Sequence, residues 1–366
     1  MTYPVITGTI LIEANGAALN NAGQAEGLRV DNAIAVKQIR VGRLSYPYVS
    51  GQAWRRWLRE VLYADFNWAP SEVTRETKSA YTKGDPIAYE EDDLFGYMVA
   101  RKRVGKTSKK KKEQSDENAI SLDNTEEGSG TYRRISPLKN SLLISCLPNV
   151  IANDFGHFSR NLPQDTDMIP FEAEHYSTYL QGVFTISLND VGRFMVGEMC
   201  DISEDIKEKY EEKLKDDPNN QKVFWLPKED RIKRVQEVLK AMAYLRGGAR
   251  LARNLSDVSP VVVLVGSLDG ANAPFQRIFS ADDNNESVIL NIERLESVLN
   301  DYENRFLSTD NAKPLLLGYR PTVLANEVEV LNKFSNSKLI EIVDTPQKAL
   351  EKAADRVGKI FSLLKE

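Results

Sequence analysis

The sequence predicts an α+β fold: a sheet whose elements run strand, helix, strand, strand, helix, strand, broken by long insertions. Three observations carry this. Residues 3–13 alternate as a strand does, with Ile6, Ile10 and Ile12 on one face and Thr7 and Thr9 on the other. Two stretches repeat apolar residues at helical spacing. One is VSGQAWRRWLREVLYADF (49–66); the other lies at 229–246 and carries Ile232, Val235, Val238, Leu239, Met242 and Leu245. Three apolar runs, SLLISCL (141–147), GVFTISL (182–188) and PVVVLVG (260–266), read as further strands. In this order the elements suggest a ferredoxin-like sheet.

The intervening text reads as connections. NGAALNNAGQAEG (15–27) is a Gly/Asn-rich loop that brings backbone amides to the surface. Residues 74–135 form an insertion with a lysine run and a polar tract, SDENAISLDNTEEGSG. Residues 148–178 read as irregular, and 346–365 as an amphipathic helix opened by Pro346. The 366 residues suffice for about two domains, and 42% hydrophobic content supports a packed core. No apolar run is long enough to span a membrane, and the N-terminus reads as a strand, not a secretion signal. Two cysteines, Cys146 and Cys200, exclude a disulfide scaffold and fit a reducing cytoplasm. Two histidines leave little room for a zinc site, so neither metal nor cofactor is expected.

Charge is segregated. The chain carries 48 Lys+Arg against 53 Asp+Glu, a net charge of −5. Residues 231–256 nevertheless hold Arg231, Lys233, Arg234, Lys240, Arg246, Arg250 and Arg253 against Glu237 alone. Residues 101–112 hold eight cations and no acid, while Glu90–Asp93, 201–217 and 282–303 are acidic. Such a chain presents a cationic face to a polyanion and an acidic face elsewhere, or solvates both.

Two motifs sharpen the cationic reading. Advancing roughly 100° per residue from Gln52 places Arg55, Arg56 and Arg59 on one arc of the first helix. Trp54, Trp57, Leu58 and Val61 fall on the opposite arc, which packs on the sheet. Ser50 is the expected N-cap, and Gly51 would let an anion approach the first turn. The turn Leu245-Arg246-Gly247-Gly248-Ala249-Arg250 follows the second helix, with arginines on both sides of its glycines. It lacks the Gly-Lys-Ser/Thr of a nucleotide loop.

Several segments, in shared order, resemble the DevR-type (Cas-seven) backbone subunit of CRISPR Cascade complexes, within the RAMP superfamily and nearest to type I-A/I-B systems. They are GTILIEANGAALNNAG, PYVSGQAWRRWLRE, DDLFGYM, SPLKNSLLIS, EHYSTYLQGVFTISLNDVGRF and LRGGARLARNLSDVSPVVVLVG. The resemblance implies an RRM-like palm with helical fingers and a β-hairpin thumb. The palm would take residues 1–73, 136–148, 181–200 and 229–345 and end in a helix at 346–366. Residues 74–135 would be the fingers, 149–180 the thumb, and 201–228 an acidic, Lys-rich insert.

It also implies a function without catalysis. Copies would assemble head to tail along a guide RNA (crRNA), beside a large subunit, a 5′-handle-binding subunit and the crRNA-processing endoribonuclease, and present the spacer to target DNA. RNA contacts would fall on Asn20, Asn21, Gly23, Arg29, Lys37, Arg40, Ser50, Gln52, Arg55, Arg59, Gly247, Gly248 and Arg250. Phe155, His157, Phe158, Met168 and Phe171 would be the wedges that flip a base. Lys109, Lys110, Lys111 and Lys112 would touch target DNA, or form a solvated loop. Two alternatives stay open: a ribonuclease subunit that cuts complementary RNA through a loop aspartate, Asp31, and an interaction protein of the same fold without RNA.

Overall fold

The structure is a computed structural model that describes residues 3–24, 33–75, 80–101, 130–158 and 168–364. The chain divides into two compact units, each treated by itself. The first holds residues 1–68, 138–191 and 232–366; the second holds 69–137 and 192–231.

The first unit is built on a large sheet around the strand β1, Pro4–Ala17. β1 pairs antiparallel with Pro260–Asp269 on one side and with the 19-residue strand Ile169–Ser187 on the other. Beyond the latter lies Leu143–Ser145. In chain order β1, 143–145, 169–187 and 260–269 are first to fourth, yet in space they lie fourth, first, third, second, every neighbour antiparallel. Two interleaved strand–helix–strand units produce this order. The sheet is extended by Leu315–Tyr319 and Ile340–Val343 on one side and by the hairpin of β4 (Gln38–Val41) and β5 (Leu44–Val49) on the other.

Because β1 is central, it is covered on both faces. Thr7 and Thr9, expected on a face of their own, are fully buried, and their hydroxyls donate to the carbonyls of Phe184 and Gly182. That satisfies the only polar side-chain atoms they carry into the core. One face is helical. The helix α1, Gly51–Phe66, buries Trp54, Trp57, Leu58, Val61 and Leu62, and Trp54 Nε1 donates to the Ser141 carbonyl at 2.8 Å. The C-terminal helix Pro346–Phe361, capped by Thr345, packs on the sheet so closely that a Cβ at Gly318 would lie 2.9 Å from Ala349. The other face is covered by residues 275–334, whose Phe275, Phe279, Leu295 and Phe334 meet Leu11, Val262, Leu264 and Leu317.

Two stretches differ from their sequence reading. The expected loop 15–27 holds the end of β1 and a short strand β2, Asn21–Gln24, which pairs with β3, Ala33–Val36. The stretch 148–178 is not irregular. Ile151–Phe158 pairs antiparallel with the outer half of 169–187, forming a hairpin that continues a core strand. The strand 151–158 is exposed on both faces and so carries no two-residue hydrophobic period in its sequence.

The second unit holds a hairpin of Tyr97–Arg101 with Gly130–Arg134, a three-stranded sheet of Arg193–Met195, Lys215–Asp217 and Asn220–Trp225, and the short helices Glu90–Phe95 and Glu204–Lys209. The Glu90–Asp93 run is not the acidic surface that the sequence suggested. Glu91, Asp92 and Asp93 are buried. Asp93 pairs with the buried Arg134, which also donates to the carbonyls of Asp93 and Arg193. Asp92 accepts from Ser71 Oγ at 2.9 Å and from the Asp85 amide at 3.1 Å. Among the described residues, no helix is long and apolar enough to cross a membrane.

Glu341 fastens the edge strand 340–343 to the C-terminal helix through Lys352 and Arg356. Partial burial opposes its ionisation, but the hydrogen bonds from Lys352 and Arg356 outweigh this and hold its carboxyl below the usual range. A carboxyl lowered in the folded state stabilises above its unfolded pKa and loses that contribution as pH falls through the folded value. Glu341→Gln should therefore lower unfolding stability at neutral pH by about 1 kcal/mol, discounted for solvent. The gap to the parent, followed by denaturant titration, should close below the ordinary glutamate range.

Candidate nucleic-acid interface

Three parts of the first unit meet at the C-terminal end of β1. The first is the segment that follows it. Asn20 Oδ1 accepts the Ser50 amide at 2.9 Å, and the Asn20 carbonyl accepts the Lys37 amide at 3.1 Å. The second is the start of α1, where Ser50 Oγ accepts the Ala53 amide at 3.3 Å, the cap that the sequence suggested. The third is the glycine turn, joined to β1 by a bridge between Ala18 and Ala249.

The two glycines have separate reasons. A Cβ on Gly247 would lie 2.1 Å from the Trp57 ring, so the indole on the buried side of α1 rests directly on the backbone. Gly248 has φ +129 and faces Leu19, whose Cδ2 lies 3.0 Å from the place of a Cβ. Asn254 Nδ2 donates to the Gly16 carbonyl at 2.9 Å, closing the turn back onto β1.

The hairpin of 151–158 with 169–187 stands beside this turn. Register places Phe158 opposite Ile169 and Gly156 opposite Phe171, so these share one face. Phe155 and His157 lie on the other face, with ring centroids 6.4 Å apart. The wedge candidates thus divide between two faces; Phe155, Phe158 and Met168 are largely exposed. On the first face the Arg253 guanidinium sits 5.4 Å above the Phe171 ring. A cavity of about 380 Å³ is lined there by Ile34, Phe158, Ile169, Phe171, Arg250 and Arg253, with Glu172, which is bonded to Asn153 at 2.9 Å.

Arg250 has a positive φ of +59, rare for a residue with a side chain. Burial, then the charge of Arg253, pushes its pKa down. Neither guanidinium makes a hydrogen bond or ion pair among the described residues. Two adjacent cations of this kind favour an anion between them.

The other candidates fall as follows. Arg55 is not on an open ridge. It is half-buried, its Nη1 donates to the Leu138 carbonyl at 2.7 Å and to Asn140 Oδ1 at 2.9 Å, and burial with the neighbouring Arg59 lowers its pKa to about 10. Arg59 is likewise half-buried, and Arg56 pairs with Glu60 at 2.8 Å. The helical wheel placed these arginines on one arc correctly, but it carries no information about the strand that covers part of that arc. Gly51 lies against Asn140, whose Nδ2 is 3.2 Å from the place of a Cβ, so that glycine serves packing. Gln52, Gly23 and Arg40 are exposed, Lys37 is half-buried, and Asn21 Oδ1 is buried without a hydrogen-bond partner among the described residues. Arg29, Asp31 and Lys109 to Lys112 lie outside the described residues.

The 231–256 cations are not a uniform face. Arg231 and Arg234 are buried, Arg246 pairs with Asp65 at 2.8 Å, and Lys233 with Glu237 at 3.7 Å. Arg253, Ile34 and Ile169 are additions to the site. Arg253 follows the turn closely in sequence, whereas nothing in the sequence links the two isoleucines to it. Among the described residues no cluster of His, Cys, Asp and Glu is suited to hold a metal.

Fold and surface together define a mixed α+β protein with a cationic turn beside an exposed aromatic hairpin. Residues 6–280 match the model of a family described as the CRISPR-associated negative auto-regulator DevR/Csa2, and the chain belongs to that family. Two solved structures are similar over 96% of the chain. One, titled CRISPR RNA-guided surveillance complex, pre-nicking, is 10% identical, is covered over 100% of its length and has a TM-score of 0.48. The other, titled CRISPR RNA-guided surveillance complex, is 12% identical, is covered over 98% and has a TM-score of 0.45. No curated protein matches the chain.

Two substitutions, with a third as control, test this geometry. Gly247→Ala should destabilise by about 1–3 kcal/mol, because the methyl must displace the Trp57 ring. Arg55→Ala should cost a similar amount, about 1–3 kcal/mol, by removing the half-buried bonds to the Leu138 carbonyl and Asn140, whereas Arg56→Ala should change the unfolding midpoint little. Thermal denaturation measures all three.

Proposed function

We propose that this protein is a non-catalytic backbone subunit of an RNA-guided surveillance complex: it grips the sugar-phosphate backbone of a guide RNA, and copies of it assemble head to tail along the spacer. In this reading the first unit is an RRM-like palm and the 151–187 hairpin a thumb. The observation that carries it is the pair Arg250 and Arg253, which make no ion pair among the described residues and lie beside an aromatic hairpin. Arginine holds phosphate without reading base sequence, and a flat ring accepts any base, which is what a subunit carrying arbitrary guides requires. Family membership supports the reading, because the family is CRISPR-associated. The guide would pair with target DNA and the other Cascade subunits would cap the assembly, so that sequence is read by base pairing and not by side chains.

Phosphate would sit between the two guanidinium groups, and a base against Phe158 or Phe171 on the inner face of the hairpin. Phe155 and His157, on the outer face, would meet the next stretch of strand or the next copy. Asn20, Ser50 and Gly247 would act by holding the turn, the helix and β1 in register, not by touching RNA.

Co-expression with a guide RNA tests this. Purified material should carry RNA, read as an absorbance ratio, in particles larger than a monomer. Arg250→Ala with Arg253→Ala should weaken retention and reduce the salt slope by roughly 1.4, about 0.7 for each lost phosphate contact. RNA-free monomers at low salt, or an unchanged slope in the double variant, would contradict the reading.

A further inference from the structure

A cleft of about 720 Å³ opens on the sheet face covered by residues 275–334, between the β4–β5 hairpin and residues 276–294. It is separate in residues from the interface around Arg250. Ile39, Val41 and Tyr46 form one wall, and Ile144 and Val183 belong to the floor. The other wall carries Arg277 and Arg294, both exposed. Neither side chain makes a hydrogen bond or ion pair among the described residues.

Two of the other polar groups are engaged within the protein. Asp282 is the sole acid among the lining residues, and its carboxylate accepts the amides of Ser287 at 3.2 Å and Glu286 at 2.9 Å, which lower its pKa. It is thereby bonded within its own turn. Gln181 exchanges two hydrogen bonds with the backbone of Phe279, at 2.8 and 3.3 Å. Burial pushes the Cys146 thiol up to about 12, so it is no nucleophile at neutral pH. The cleft therefore offers two unneutralised guanidinium groups facing an aromatic and aliphatic wall, and no set of groups for acid–base or nucleophilic chemistry.

We infer that this cleft is a second site for single-stranded nucleic acid, holding roughly two nucleotides with phosphates on Arg277 and Arg294 and a base or sugar against Tyr46. A chain that alternates anionic phosphate with a flat, weakly polar ring satisfies both walls at once. An acidic peptide would pair with the arginines but would bring no flat face to Tyr46 and the aliphatic wall. The inference stands whether or not Arg250 and Arg253 hold a guide strand.

Ultraviolet crosslinking tests it. The full chain is irradiated with a labelled single-stranded oligonucleotide of about ten nucleotides, and adducts are mapped by mass spectrometry. An adduct is expected on the peptide that contains Tyr46. Arg277→Ala with Arg294→Ala should cut its yield about tenfold, since two charge-assisted contacts disappear. Guide-RNA retention should be unchanged in that variant, which separates this site from the one around Arg250. The unfolding midpoint should not move, because both arginines are exposed and unbonded. Absence of an adduct in the cleft, or an equal yield in the double variant, overturns the inference. So does displacement of the adduct by a polyglutamate peptide at equal concentration, which would assign the cleft to an acidic protein segment.

Discussion

The contact of the Trp57 ring with the backbone of Gly247 is the constraint on which the candidate interface depends. Trp57 belongs to the apolar side of α1, which is held against the sheet by burial and by the Trp54 bond to Ser141. The turn that carries Arg250 and Arg253 is thus pressed against an element of the core. A side chain at position 247 would force the two apart, because interiors packed to crystal density have no slack for a methyl group. The same contact explains why the turn can leave Leu245 buried, bend at Gly248 and reach the inner face of the hairpin within a few residues. Loop flexibility plays no part in this; the loop is pinned at Ala18, Leu19, Gly16 and Trp57.

A net charge of −5 does not prevent a cationic surface, because the fold decides which charges remain available. Arg134 and Asp93 neutralise each other in the interior of the second unit, and Arg231 lies buried against the ring of Trp225. Arg246, Lys233 and Arg56 have acids within reach on the surface. Among the described cations that keep no ion pair are Arg250 with Arg253 in one place and Arg277 with Arg294 in another. Each pair lies beside exposed or half-buried aromatic and aliphatic groups, Phe158 and Phe171 for the first and Tyr46 for the second. Cations without ion pairs cost little on a solvated surface, but Arg250 is partly desolvated and lies near the charge of Arg253, a state that an anion would relieve.

Sequence by itself determined the regular elements whose residues face one environment along their length. The α1 helix, its Ser50 cap and its buried tryptophans follow from a 3.6-residue period. So does the C-terminal helix opened by Pro346, and the apolar run at 260–266 follows from burial on both faces. The order of those elements also limited the strand arrangements to a few. Tertiary structure decided the rest, and for a physical reason: partners that neutralise, cover or approach a residue come from distant parts of the chain. Arg55 is bonded to residues 138 and 140, Gly247 is required by residue 57, and Arg253 lies over residue 171. The acidic run at 90–93 became interior only because Arg134 and Ser71 meet it there. A local pattern reports the period of burial, but which charges stay free is a property of the assembled surface.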